Sequence, residues 1–407
     1  MTDNSSSETP MLNPKKRLLD NTEHIHSYAM KNRDPYGWVI CLVVLISRIM
    51  TSGPVYWGDG PALVHAIQSR VYVIHHFPGY WLLNRCASLF PNAEAGLHIL
   101  NWSFSALGVA AFYLVAKRMV SMRAARLGSA VYAAVFYIWF SGGIHDSCAS
   151  QIFFPILMFY FFLRYRESSR LAHLIGASVA FALGAGFRPS DGAFLLPLFV
   201  YFVIRYAPWR QLAASFTLVF TVCMGWLVPT YFAYSKASAW GGVVGAVSEV
   251  PHLTHGGSLI HNGVTLQFLA NVARYWVPLI AAFWPLLYAI MWSLKRVKEE
   301  RIFWLWLWIV PGSLFLILIY MASAAYLNFL TAGVVLLALI VLDGKRQAVP
   351  LLATCLAFNM LLFLFFVPLP SRKLPVEILD AYVGRYTLYG IRHQWWPNLG
   401  VLMSQGK

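Results

Sequence analysis

The sequence predicts an all-α, polytopic membrane protein, and three observations predict it. Hydrophobic residues make up 59% of 407 and charged residues 12%, where a soluble domain carries roughly twice that charge. Long apolar stretches recur along the whole chain, which is the pattern of successive membrane spans. The segments between them are alternately basic and nearly free of Lys and Arg, as loops on opposite sides of a membrane are. The net charge of +15 does not imply a nucleic-acid partner, because the basic residues are spread through short loops.

From the N-terminus, residues 1–36 are polar, with Ser5-Ser6-Ser7 and Lys15-Lys16-Arg17, and hold no apolar run of the signal-peptide kind. They are expected to form a disordered cytoplasmic lead. Eleven spans are expected at roughly 38–54, 96–116, 127–142, 150–163, 171–186, 193–206, 211–233, 271–293, 302–321, 325–342 and 348–366. The basic loops carry Lys117, Arg118, Arg123 and Arg126, then Arg164, Arg166 and Arg170, Arg205 and Arg210, Lys295, Arg296, Lys298 and Arg301, and finally Lys345 and Arg346. Loops 51–95, 143–149, 187–192, 235–270 and 322–324 are nearly free of such residues. Positive-inside logic places the first set in the cytoplasm. The expectation is an inner (plasma) membrane protein with a cytoplasmic N-terminus. It comprises a membrane module at 37–234, an outer loop at 235–270, C-terminal spans in 271–366 and an extracytoplasmic tail at 367–407.

The first outer loop is too long for a turn. A helix is expected from Pro61 to Tyr72, with Asp59 or Gly60 at its start and Pro61 suited to the first helical position. A second is expected from about Gly79 to Phe90. Two short amphipathic helices of this kind would lie on the membrane surface as a lid over a cavity between the spans. Cys41, Cys223 and Cys355 fall inside spans and read as small packing residues, while Cys86 and Cys148 fall outside and could pair. Trp304, Trp306, Trp308 and Trp395-Trp396 are expected at membrane interfaces.

Polar residues concentrate on the expected outer side. Asp59 lies in Trp57-Gly58-Asp59-Gly60, and His75-His76-Phe77-Pro78-Gly79-Tyr80 follows. An Asp after the first span, a short helix and then His-x-Pro-Gly-Tyr resembles the first outer loop of family C glycosyltransferases (the GT-C fold). The resemblance is to the protein O-mannosyltransferase and lipid A aminoarabinose transferase group. Gly186-Phe187-Arg188-Pro189-Ser190-Asp191, with Leu195-Leu196-Pro197 after it, resembles that group's fifth-to-sixth span connection. The resemblance covers roughly residues 38–234. Two departures stand out: many members carry two adjacent acids where Asp59 is flanked by glycines, and no soluble outer domain follows the last span.

The resemblance implies transfer of a sugar from a polyprenyl phosphate donor to a lipid, glycan or protein hydroxyl. That chemistry needs a carboxylate base near the acceptor, cations on the leaving phosphate and an apolar groove for the lipid tail. Asp59 would be the base, and a helix cap is the other role open to it. Asp146 would orient the acceptor or cap the helix near Ser147. His76 fills the group's histidine position and would touch phosphate or sugar. Tyr80 either faces the sugar or belongs to the turn. Arg188, Arg48, Arg274 and Arg385 are outer-side arginines suited to a phosphate, or else they snorkel to lipid headgroups. Glu249, His252, His255 and His261 could ligate a metal. Relatives of the mannosyltransferase type work without one, and Gly256-Gly257 suits a substrate-contacting loop, so no cofactor is expected. The competing reading is a transporter or flippase using the same arginines without chemistry. Polar residues in mid-membrane on both sides would favour it.

Overall fold

The computed structural model describes residues 34–52, 59–74, 80–145, 147–236, 258–319 and 324–366. The described chain is helical. The helices are α1 (Tyr36–Met50), α2 (Asp59–Gln68), α3 (Trp81–Ala87), α4 (Ala93–Met119), α5 (Met122–Ala134), α6 (Phe136–Gly143) and α7 (Phe154–Ser168). They continue as α8 (Leu171–Phe187), α9 (Pro189–Tyr206), α10 (Trp209–Lys236), α11 (Leu266–Phe283), α12 (Leu287–Ser293), α13 (Glu300–Leu318), α14 (Asn328–Leu342) and α15 (Ala348–Phe366). A 3-10 turn, Ser147–Ile152, precedes α7, and another, Ala324–Leu327, precedes α14.

Each expected apolar stretch contains a helix. Among the described residues, six helices are long and apolar enough to cross a membrane, and three more are apolar but shorter, Tyr36–Met50, Leu171–Phe187 and Ala348–Phe363. Outward faces are apolar too: α1 exposes Trp38, Val39, Leu42, Val43 and Ile46. Only 11% of the apolar window of α10 is buried. Such surfaces are costly in water and neutral in hydrocarbon, which makes this a polytopic membrane protein.

Local chemistry explains the long helices. In α4, the Asn92 side chain accepts from the Glu94 amide at 2.8 Å, and Glu94 stands in the first turn. Lys117 and Arg118 stand in its last turn, opposite the dipole's negative end. The 27 residues of α4 span about 40 Å at the helical rise.

The stretch expected as one span at 127–142 is instead two helices broken at Val135 (φ −52°, ψ 121°). No proline or glycine marks the break. Its loose backbone groups are met by side chains from elsewhere. The Arg48 Nη2 donates to the Ala133 carbonyl at 2.7 Å, and the Phe136 amide donates to the Asn359 side chain at 3.4 Å. Asn359 also donates to the Ala282 carbonyl at 2.7 Å, where α11 ends at Phe283 and gives way to a 3-10 turn carrying Pro285. One asparagine thus serves two helix irregularities.

The core gathers α4 to α9 around α14, whose apolar window is 89% buried. Trp304 and Trp308 belong to this core and are fully buried, which corrects their expected place at the interface. Trp304 packs on Phe202, and the Trp308 indole donates to the Phe329 carbonyl at 2.8 Å. Trp306 is half-buried, and Trp395-Trp396 lie outside the described residues. The five cysteines are free thiols, so Cys86 and Cys148 do not pair.

The basic loops are cross-linked at one end of the bundle. Arg118 pairs with Glu167 at 2.5 Å, Arg166 with Glu300 at 2.6 Å and Arg126 with Asp34 at 3.0 Å. The Ser121 hydroxyl donates to Asp343 at 2.6 Å. Exposed pairs of this kind add little individually, but they tie the helix ends in register. Described residues of the loops poor in Lys and Arg meet at the opposite end of α4, as Asn101 with Ile144 and Ser147 with Arg188 show.

Candidate active site

The first-loop helices pack into the bundle. The helix expected at Pro61–Tyr72 runs Asp59–Gln68, and the second runs Trp81–Ala87. Leu63, Ile67, Leu83 and Ala87 are buried with Leu97, Phe104 and Phe187 of α4 and α8. α3 lies so close to α4 that a Cβ on Gly96 would come within 2.2 Å of the Ala87 carbonyl oxygen. Residues 71–74, which follow α2, are held from two sides. The Asn84 amide donates to the Tyr72 carbonyl at 3.0 Å, and the Tyr234 hydroxyl of α10 donates to the Ile74 carbonyl at 2.8 Å.

Tyr80 opens α3 in the left-handed region (φ 58°, ψ 36°), where non-glycine residues are uncommon and often functional. Arg188 ends α8 and precedes α9 in extended backbone (φ −146°, ψ 98°). Pro189 accounts for both facts: it disfavours helical geometry in the residue before it and suits the first position of a helix.

These elements bring a buried polar cluster together. Arg188 donates through Nη1 to the Ser147 hydroxyl at 2.6 Å. Its guanidinium lies 4.7 Å from the Tyr326 ring centroid and 5.8 Å from that of Tyr80, within cation–π range. Tyr80 and Ser147 share a side-chain hydrogen bond, and Tyr80 lies in the electrostatic field of Asp59. Burial pushes the Tyr80 phenol up, Arg188 opposes the shift and Asp59 adds to it, so Tyr80 keeps its proton at neutral pH. Asn328 donates to the Cys148 carbonyl at 3.2 Å, and Gln151 donates to Asp191 at 2.6 Å.

Of the residues singled out by sequence, Tyr80 and Arg188 therefore come together, and Asp59 acts electrostatically on Tyr80. Arg48 belongs elsewhere: its Nε donates to Ser105 at 3.0 Å, Nη1 to Ser47 at 3.2 Å and Nη2 to Ala133, with the Trp139 ring 4.7 Å away. None of these described contacts is shared with Arg188. Arg274 lies in α11, but its side chain is outside the described residues, as are His76, Asp146 and Arg385. His252, His255 and the His261 side chain lie outside them as well. The segment leading to Asp146 is anchored: Asn101 donates to the Ile144 carbonyl at 2.5 Å, and His145 bonds the Glu94 carbonyl at 3.1 Å.

Sequence reasoning missed Tyr326, Asn328, Gln151 and the pairing role of Ser147. The available signal was positional, because each stands at the Lys- and Arg-poor end of an apolar stretch.

Residues 75–232 match the family described as dolichyl-phosphate-mannose-protein mannosyltransferase. The match begins at His75, so Asp59 lies ahead of it. No curated protein matches the chain in sequence. Among solved structures, the chain is similar to ArnT from Cupriavidus metallidurans bound to undecaprenyl phosphate, with a TM-score of 0.58 and 16% identity over 85% of this chain and 68% of that one. The apo state of the same ArnT gives a TM-score of 0.54 at 16% identity, over 76% of this chain and 59% of ArnT. The chain therefore shares its overall fold with ArnT, and its residues 75–232 match the mannosyltransferase family. Within this fold, the first-loop helices and the Arg188 turn meet at one end of the bundle, where the cluster lies.

Proposed function

We propose that this chain is a membrane glycosyltransferase that moves a sugar from a polyprenyl-phosphate donor to a hydroxyl of a lipid, glycan or protein. The observation that carries the reading is the buried Arg188 guanidinium, flanked by Tyr80, Ser147 and Tyr326, with Asp59 acting electrostatically on the neighbouring Tyr80. A buried cation whose direct described contacts are a hydroxyl and two aromatic rings, with Asp191 acting on it only through its charge, suits an anionic ligand, and arginine's planar fork suits a phosphate. The ArnT structure with undecaprenyl phosphate and the mannosyltransferase match at 75–232 support a lipid-phosphate donor. Positive-inside logic supports an extracytoplasmic site in the inner (plasma) membrane, with the N-terminus in the cytoplasm.

In the proposed reaction the acceptor oxygen attacks the anomeric carbon. The bond from that carbon to the phosphate oxygen breaks, and the electron pair leaves with the lipid phosphate. Asp59 takes the acceptor's proton. Arg188 stabilises the charge that develops on the phosphate, and the Tyr80 phenol is a second donor beside it. His76, Asp146, Arg274 and Arg385 complete the proposed substrate contacts.

The test is mass spectrometry of glycolipids and glycoproteins from cells lacking the chain, complemented with wild type or with Asp59→Asn. A glycan should vanish on deletion, return with wild type and stay absent with Asp59→Asn at normal protein level. Full restoration by Asp59→Asn removes Asp59 as the base.

A further inference from the structure

Two turns face each other beneath the site, Ser147–Ile152 and the α8–α9 junction at 188–191. Two hydrogen bonds of opposite sense join them. Arg188 donates to Ser147 at 2.6 Å, and Gln151 donates to Asp191 at 2.6 Å. Each turn therefore supplies one donor and one acceptor, with 188 and 191 one helical turn apart. The four side chains are almost fully buried: Arg188 is 5% exposed, Ser147 and Gln151 2%, Asp191 0%. Asp191 and Arg188 also sense each other's charge. Arg188 Nε, Asp191 Oδ2 and Gln151 Oε1 have no hydrogen-bond partner among the described residues, so the clamp is held by these two bonds.

A buried carboxylate is expensive unless its partners repay the lost hydration. Here its directional partners are Gln151 and, at 3.4 Å, the Ser190 hydroxyl. A bond that merely joined α7 to α9 would not need a charge. A bond on the turn bearing Arg188 also keeps the Asp191 carboxyl within electrostatic reach of the guanidinium.

We propose that Gln151 and Asp191 are a positioning pair that aims Arg188 at the phosphate of the lipid donor. The proposal rests on the Arg188 reading above. The fold alone does not require the pair to act on the phosphate, and that difference can be measured.

The experiment compares binding of undecaprenyl phosphate with that of undecaprenol, the same chain without phosphate, to the full-length protein in nanodiscs. Wild type should prefer the phosphate, and Arg188→Ala should lose that preference. Absence of a preference in wild type overturns the donor-phosphate reading itself. Gln151→Met keeps the length but cannot donate, and it should cut the preference about fivefold, the scale of one lost supporting hydrogen bond, while leaving undecaprenol binding unchanged. Asp191→Leu removes the acceptor instead and should give the same pattern, so either variant suffices if the other does not fold. Equal losses for both lipids, or an unchanged preference, overturn the proposal.

Discussion

Arg48 and Arg188 show how far residue type alone underdetermines role. Both were candidates for a phosphate, and both are buried arginines next to the Lys- and Arg-poor loops. Arg48 has donors engaged at Nε, Nη1 and Nη2, one of them to the Ala133 carbonyl at the helix break. Among the described residues, Arg188 has one hydrogen bond, to a hydroxyl, and two aromatic faces. Arg48→Ala should therefore lower thermal stability by about 3 kcal/mol or more, as removal of a buried charge's interactions does, and calorimetry in detergent would show it. Unchanged melting would detach Arg48 from the break. For Arg188→Ala the structural loss is smaller, one hydrogen bond and two aromatic contacts, and the main effect expected is at least about tenfold weaker undecaprenyl phosphate binding, the scale of a charge-assisted contact. Asn359 stands with Arg48. Asn359→Leu leaves the Ala282 carbonyl and the Phe136 amide without their side-chain partner, and a loss of about 1–3 kcal/mol is expected.

At the scale of elements, close backbone contact sets the site. A Cβ on Gly108 of α4 would lie 2.3 Å from the Ile152 carbonyl oxygen. That oxygen ends the turn carrying Ser147 and Gln151, so the glycine lets the turn sit against α4. Gly108→Ala must push the turn outward, at about 1–3 kcal/mol for overpacking, and should weaken phosphate preference as well as stability. Lower stability with an intact preference would show that the turn does not need this register. The break between α5 and α6 belongs here too. Its local sequence, Ala133-Ala134-Val135-Phe136, reads as continuous helix, and periodicity accordingly predicts one span. The break exists because Arg48 and Asn359, distant in sequence, satisfy the groups it frees.

For the whole molecule, the site draws on both halves of the chain. Tyr326 and Asn328 lie far beyond residues 75–232, the segment matched to the mannosyltransferase family, yet Tyr326 covers Arg188 and Asn328 holds the Cys148 carbonyl. Tyr326→Ala should thus weaken undecaprenyl phosphate binding several-fold, about 1 kcal/mol for a lost cation–π face, read by the same nanodisc measurement. An unaltered affinity would make Tyr326 a packing residue only. Composition, apolar stretches and loop charge by themselves determined the polytopic helical class, because hydrocarbon admits few other solutions for the backbone. The motifs around Tyr80 and Arg188 marked two residues whose side chains meet, with Asp59 acting on Tyr80 through its charge, since each stands where an apolar stretch ends. The tertiary structure alone decided which arginine faces the cluster, where the third span breaks, that Trp304 and Trp308 are core, and that the C-terminal helices wall the site. Those outcomes depend on contacts between residues tens to hundreds of positions apart, and no local pattern encodes them.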